Sequence, residues 1–154
     1  MPPSIPQQYP GESATDKQIL RLAEVYRKAA HVLLKQEPRG DPLSLAPCRL
    51  LAIHAIELYL NALLLHKGHK ASDIRGMQHS LAERSKHAIA SGLKLRKRTA
   101  DHLAAMEENR EYLVTRYSPE MTATVSQINR LTATLEEVAN KATAMMGTPH
   151  SPSA

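Results

Sequence analysis

The sequence has no tryptophan and no phenylalanine, and tyrosine occurs only five times. Proteins that hold single-stranded nucleic acid by base stacking rely on several aromatic rings, so this composition argues against a stacking platform. A single cysteine excludes an internal disulfide bond, which fits a reducing compartment. The opening segment MPPSIPQQYPGES lacks the basic and apolar regions of a secretory signal. We therefore expect a cytoplasmic protein.

Strand-like alternation of apolar and polar residues is also missing, whereas leucine and alanine recur at helical spacing. A chain of 154 residues fits one domain with a real core. Short connections between long helices favour antiparallel neighbours. The sequence thus predicts an all-α, up-and-down antiparallel bundle of four to five helices over residues 13–146, a disordered or loosely docked arm at 1–12, and a disordered tail at 147–154.

Apolar periodicity and capping residues give the bounds of five helices. Ser13 or Thr15 can cap the first helix, and His79 or Ser80 opens the third. The helices are expected at Asp16–Gln36, Pro47–Lys67, His79 or Ser80 to Ser91, Thr99–Tyr117 and Thr122–Met146.

The second of these helices, PCRLLAIHAIELYLNALLLHK from Pro47, is apolar on nearly every face and should be buried among the others. Arg49 and Glu57 would each cost about 2.5–3.5 kcal/mol inside a bilayer, so we expect a soluble core helix and no membrane partner. His54, Glu57 and Asn61 fall within roughly a 60° arc of the helix and form one polar stripe. That stripe either makes structural hydrogen bonds or faces a cleft.

Charge and histidine content narrow the choice of ligand. The net charge is +5, a basic excess that permits an anionic partner such as RNA without demanding one. The densest basic patch is LKLRKRT at residues 93–99, where positive charge before a helix opposes its macrodipole. His66 and His69 straddle Gly68 with no further ligands nearby, so we expect neither a metal site nor a cofactor.

The fourth predicted helix carries an arginine in an apolar seam. Leu103, Met106, Arg110, Leu113 and Tyr117 are spaced 3, 4, 3, 4 along it. A guanidinium in such a seam requires a carboxylate or an anionic ligand, unless it extends outward along the helix edge. Glu57 is one candidate partner for Arg110.

Three motifs occur in an order that resembles the HEPN domains, the higher eukaryote and prokaryote nucleotide-binding helical bundles. A buried Glu-Leu-x-Leu-x-Ala-Leu-Leu run extends from Glu57 to Leu64, and Gln78-His79-Ser80-Leu81 is similar in part to a Gly-His-x-Leu helix start. Arg116-Tyr117-Ser118-Pro119 is similar to an Arg-Tyr-Pro corner. The resemblance spans about residues 50–120.

The resemblance implies a choice between activity and loss of activity. HEPN domains include metal-independent ribonucleases, toxins paired with nucleotidyltransferases, and inactive versions that bind RNA or partners, usually as dimers. Active members carry Arg-x(4–6)-His; here Arg110 is followed at the corresponding distance by Arg116, and arginine stays protonated near neutral pH and cannot act as a general base. The segments from Arg49 to His54 and from Arg96 to His102 also match the Arg-x(4–6)-His pattern. A chain with this many arginines and histidines is expected to contain such matches by chance.

The resemblance therefore predicts a catalytically degenerate domain that binds RNA or a nucleotide, with a homodimer as its expected assembly. A metal-independent, toxin-type endoribonuclease and an interaction module for a nucleotidyltransferase-type protein stay open as alternatives. The candidate catalytic histidines are His79 and His102. The candidate ligand-binding residues are Glu57, His79, Arg110, Arg116 and Tyr117.

Overall fold

The protein is all-α in the ranges 8–36 and 41–147, which are the residues that the computed structural model describes. This confirms the predicted fold class, although these ranges hold more helices than the four to five expected. The α-helices are α1 (Asp16–Gln36), α2 (Ala46–His66), α3 (Ala71–Gly76), α4 (Leu81–Ala90), α5 (Lys97–Glu108), α6 (Glu111–Tyr117) and α7 (Ile128–Met145). Two 3₁₀ helices cover Pro42–Leu45 and Pro119–Thr124.

Helix α2 is the centre of the molecule, as its apolar composition predicted. It packs most extensively against α1 and also contacts α4, α6 and α7. Buried residues lie on all of its faces. The helical stretch Pro42–His66, which includes α2, is long and apolar enough to cross a membrane, but 67% of its most apolar window is buried inside the protein. Gly68, at φ +93°, follows the helix in the left-handed conformation that glycine adopts most readily.

Local capping accounts for the starts of α1 and α4. Thr15 Oγ1 accepts from the Gln18 N–H at 3.1 Å, and Gln18 Oε1 accepts from the Thr15 N–H at 2.9 Å, which forms a capping box. Ser80 Oγ accepts from the Glu83 N–H at 3.0 Å. The predicted caps Thr15 and Ser80 are confirmed.

The helix predicted at Thr99–Tyr117 is wrong as a single element. It ends at Glu108, and Arg110 takes a left-handed conformation (φ +51°, ψ +41°) before α6 begins at Glu111. The break rotates the register, so that Arg110 is exposed and Glu111 points inward. The expected apolar seam through Arg110 therefore does not exist.

The stretch that links α6 to α7 also differs from the prediction. The last helix begins at Ile128 rather than Thr122, because Pro119–Thr124 forms a 3₁₀ helix and Val125 is extended. The segment 68–78, expected as a loop, contains α3. Together these segments bring Ser126 to α6 and Ile74 to α4, where both contribute backbone groups.

Helical spacing predicts Leu22 and Ile89 on the apolar faces of their helices, but both are on the surface. Leu22 is 42% exposed and Ile89 is 43% exposed, while the neighbouring Ala23 and Ala88 are fully buried. The buried position in each pair is thus taken by the small residue.

The predicted arm and tail fall partly outside the described residues. Residues 1–7 and 148–154 are not described, and neither are residues 37–40 of the expected loop. Tyr9 and Glu12, which belong to the expected arm, contact Arg75 just C-terminal to α3's first turn: the Arg75 guanidinium lies 4.2 Å from the Tyr9 ring centre and 2.7 Å from a Glu12 carboxylate oxygen.

Candidate functional site

The polar stripe of α2 leads to a cluster of charged side chains around Glu57. The carboxylate oxygen Oε1 lies 3.3 Å from Arg84 Nη2, which is an ion pair. The other oxygen, Oε2, lies 3.7 Å from His79 Nδ1 and 3.9 Å from His54 Nδ1. These two distances exceed hydrogen-bond length. One carboxylate oxygen is thus held by arginine, while the other faces two imidazoles that can move toward it.

Arg84 fixes this arrangement from the protein interior. The residue is only 2% exposed, and its Nε donates to Asn61 Oδ1 at 2.7 Å. It also donates to the carbonyl oxygens of Ser80 at 3.1 Å and Ile74 at 3.3 Å. Burial lowers the pKa of Arg84, while the charge of Glu57 raises it again. Because every side of the guanidinium is engaged, Arg84 positions Glu57 rather than contacting a ligand.

Arg84 was missed by sequence reasoning, although a signal existed. Leu81, Arg84, Ser85 and Ala88 occupy one face of α4, and all four are buried. An arginine on the buried face of a short helix requires a carboxylate partner. The stripe on α2 supplies Glu57 for this purpose, together with the Asn61 amide oxygen.

Each histidine of the cluster contacts a tyrosine. The rings of His54 and Tyr26 meet edge to face at 4.7 Å, and those of His79 and Tyr112 are tilted at 5.2 Å. Burial lowers the pKa of His54; Glu57 opposes this effect, and the charge of Arg116 adds to it. The His54 side chain is 35% exposed, whereas that of His79 is 51% exposed.

The cluster opens into a cavity of about 560 Å³, which we call the Glu57 cleft; Glu57, Asn61, His79 and Arg84 form its polar wall. Residues 9–12 and Arg75 form the opposite rim. Small-molecule sites commonly have volumes of 300–1,000 Å³. The Glu57 cleft is thus large enough for a nucleotide-sized group. Glu57 and Asn61 of the polar stripe on α2 line it, which agrees with the sequence-based alternative in which the stripe faces a cleft.

The remaining candidate ligand-binding residues lie along α6. Glu57 pairs with Arg84, and neither a hydrogen bond nor an ion pair joins it to Arg110 in the ranges 8–36 and 41–147. Arg116 and Tyr117 line a second, smaller cavity of about 230 Å³. Tyr117 is 72% exposed. The structure therefore brings Glu57 and His79 together, leaves Arg116 and Tyr117 at the second cavity, and leaves Arg110 at the turn before α6.

His102, the other candidate catalytic histidine, lies in the core. It is 1% exposed, and its Nδ1 lies 2.6 Å from Thr134 Oγ1. Burial lowers its pKa to about 4, and the charges of Arg130 and Arg98 add to this effect. The imidazole is therefore neutral near pH 7 and has no access to solvent, whereas His79 is accessible at the Glu57 cleft.

Other classes of site gain no support from the described residues. No group of three or more histidine, cysteine, aspartate or glutamate side chains there could hold a metal ion. Comparison with protein-family models, curated proteins and solved structures finds no match to this chain. The resemblance to HEPN domains rests on the three motifs alone and stays a prediction.

Proposed function

We propose that the protein binds RNA or a nucleotide through its phosphate groups at the surface formed by His54, His79, Arg116 and Tyr117. The observation that supports this proposal is the cluster around Glu57, in which Arg84 already neutralises the carboxylate. The exposed His79 imidazole at the Glu57 cleft and the Arg116 guanidinium at the second cavity are then available to an anion. Imidazolium and guanidinium groups both donate charge-assisted hydrogen bonds to phosphate oxygens.

Tyr117 suits a second part of the same ligand. Its ring is largely exposed and adjoins Arg116 in sequence, so a base attached to the bound phosphate could stack on it. With one such ring, sequence preference would be slight. The homodimer, the nucleotidyltransferase-type partner and the cytoplasmic location remain predictions.

The test of binding is a native mobility-shift assay with labelled RNA over a range of salt concentrations. Replacing His79 or Arg116 by alanine should weaken binding by about tenfold and reduce the salt slope by about one for each lost phosphate contact. Lys28→Ala provides the charge-matched control, because Lys28 is exposed on α1 and lines none of the three cavities. Equal losses in all three variants would reduce the proposal to non-specific attraction.

A metal-independent endoribonuclease is a second candidate, favoured by one observation: two imidazoles lie within 4 Å of the same carboxylate oxygen. One imidazole could take the proton of a ribose 2′-OH as that oxygen attacks the phosphorus, while the second gives a proton to the departing 5′-oxygen. The products would be a 2′,3′-cyclic phosphate and a 5′-OH, with no metal and no net change in protons.

A denaturing gel of the same incubations separates the two candidates. Cleavage that copurifies with the protein and disappears in His79→Ala, His54→Ala and Glu57→Gln would establish the ribonuclease. Intact RNA with a shifted mobility would support binding alone. If neither occurs, both candidates fail, and interaction with a protein partner becomes the reading to pursue.

A further inference from the structure

A second cleft, distant in sequence from Glu57, lies between the start of α5 and the start of α7. We call it the arginine cleft, and Arg96, Arg98, Arg130, Thr99 and Thr134 are among the residues that line it. Its volume is about 660 Å³. No acidic side chain lines it within the described residues. Three guanidinium groups therefore border one cavity that has no carboxylate in its wall.

Two of these three arginines have no counter-charge. Arg96 pairs with Glu137, which also accepts from the Arg96 N–H at 2.9 Å and contacts Lys141 Nζ at 3.5 Å. Glu137 is therefore fully engaged on one side of the cleft. Neither Arg98 nor Arg130 forms an ion pair with any residue that the structure describes.

Arg130 carries the clearest sign of an unmet requirement. Its Nε is buried and has no hydrogen-bond partner among the described residues. A buried donor left without an acceptor costs about 1–3 kcal/mol, and more when the group is charged. Arg130 also lines the arginine cleft and has no ion-pair partner among the described residues. An oxyanion bound there would supply the counter-charge that its guanidinium lacks.

The backbone adds positive potential to the same place. Helices α5 and α7 both begin at this cleft, neither has a side-chain cap, and neither has an acidic residue in its first turn. Each helix start carries roughly half a positive charge. Aspartate and glutamate are favoured at helix starts, whereas α5 begins within the basic run Lys94 to Arg98. At α5 the Glu137 carboxylate partly offsets this charge by accepting from the Arg96 N–H, whereas the start of α7 has no side-chain cap.

Arg98 and Arg130 line the same cavity, and the buried His102 lies close to it through its contact with Thr134. This histidine lies directly behind Thr134, and the charges of both Arg130 and Arg98 act on it. Burial and these two charges hold its pKa at about 4. The positive charge in the cleft is therefore not diluted by a titrating neighbour near pH 7, nor increased by one.

We propose that the arginine cleft is a phosphate-binding site in which Arg98 and Arg130 hold the phosphate oxygens and the starts of α5 and α7 supply further positive potential. Guanidinium groups match the geometry of phosphate oxygens and can bind them in pairs. The shared chemistry is a phosphate ester, which a small metabolite or a nucleic-acid backbone could supply. The site does not depend on the function proposed for the Glu57 cleft.

The test is calorimetric titration of the full chain with inorganic pyrophosphate at low ionic strength. We expect saturable binding of one pyrophosphate, weakened at least tenfold by Arg98→Ala and by Arg130→Ala. Lys97→Ala is the matched control, because Lys97 lies at the same helix start but points to solvent and pairs with Asp101. It should change the affinity less than twofold. Arg98 is exposed, so its variant remains informative even if Arg130→Ala fails to fold.

Two results would overturn the proposal: no saturable binding to the wild-type chain, or an equal loss in Lys97→Ala and Arg98→Ala, which would indicate only diffuse attraction. Competition then distinguishes the two sources of phosphate. If pyrophosphate displaces RNA and Arg98→Ala loses both, the ligand is a nucleic-acid backbone. If pyrophosphate binds without affecting RNA, a small phosphate ester is the ligand. His79→Ala should retain pyrophosphate binding, so failure at one cleft is separable from failure at the other.

Discussion

Two inward-facing glutamates, Glu111 and Glu57, have surroundings that differ. Glu111 is 2% exposed, and its two oxygens accept from the Ser126 N–H at 2.7 Å and the Ser126 hydroxyl at 2.9 Å. Glu57 is held by Arg84 on one oxygen and faces His54 and His79 with the other. Both oxygens of Glu111 therefore accept hydrogen bonds from the protein, whereas only one oxygen of Glu57 has a close partner.

This difference separates a structural role from a chemical one. Glu111 belongs to a buried network. Ser126 donates to Glu111, Arg49 donates to the carbonyl oxygen of Ser126, and the Glu111 charge acts on Arg49. Around Glu57 the chain opens into a cleft beside titratable groups. A carboxylate whose oxygens both accept hydrogen bonds from the protein stabilises the fold. A carboxylate with one oxygen unbonded at a cavity is available to a ligand.

The largest expected effect is the loss of Glu111. Glu111→Ala would leave the Ser126 N–H and hydroxyl without their acceptor, and each buried donor left unsatisfied costs about 1–3 kcal/mol. The free energy of unfolding from urea denaturation near pH 7 measures it. Glu108→Ala, an exposed change at the end of α5, should stay within about 0.5 kcal/mol. A loss below about 1 kcal/mol would remove the distinction drawn between the two carboxylates.

His102 is buried like Glu111, and its burial makes the free energy of unfolding depend on pH. Its folded-state pKa of about 4 lies below the ordinary value of 6.5, so protonation favours the unfolded chain. The stabilisation is complete above about pH 6.5 and is lost as the pH falls toward 4, by at most about 3 kcal/mol. Urea unfolding at several pH values measures this, and His102→Leu should show a shallower slope in that window. Identical slopes would show that other groups dominate.

Removing Arg84 should cost less than removing Glu111, because the Glu57 cleft admits water. Arg84→Met leaves Glu57 and the Asn61 amide oxygen without their donor, for which we expect a loss of about 1–3 kcal/mol in the free energy of unfolding. The double variant with Glu57→Gln should recover part of this loss, since the unpaired charge is then gone. Lys86→Met on the exposed face of α4 is the control. Without recovery in the double variant, packing rather than charge would explain the effect.

The smallest effect concerns the turn that directs Glu111 inward. Arg110 adopts φ +51°, a left-handed conformation that disfavours residues with a Cβ atom. Arg110→Gly should therefore raise the free energy of unfolding by about 0.5–1 kcal/mol. Asn109→Gly, at φ −82°, should instead lower it slightly through the added freedom of the unfolded chain. A thermal melt of both variants decides between these signs.

Sequence reasoning found the parts of this protein that local chemistry determines. The capping box at Thr15 and Gln18 fixed the start of α1, and the glycine after Lys67 fixed the end of α2 within one residue. An unusual polar stripe and a helix start also singled out Glu57 and His79, which the structure brings to one cavity; their role in binding a ligand stays a prediction. The all-α class followed from the absence of strand-like alternation.

What sequence reasoning missed depends on contacts between distant segments. Arg110 is not a residue type that marks a left-handed turn, so the break between α5 and α6 left no local signal, and Arg110 was placed inward in place of Glu111. Arg84 and Ser126 acquire their roles only when α4 and the segment before α7 reach α2 and α6. Tertiary structure likewise places Arg98 and Arg130, which are distant in sequence, in the wall of one cavity.

The contacts between tyrosine and histidine rings at the Glu57 cleft have a spectroscopic consequence. His54 touches Tyr26 and His79 touches Tyr112, and the chain contains no tryptophan to mask tyrosine emission. Protonated imidazole quenches a neighbouring phenol more strongly than the neutral ring does. The intrinsic fluorescence of the unmodified protein should therefore report both the protonation of the cleft and the arrival of any ligand there, without an added dye.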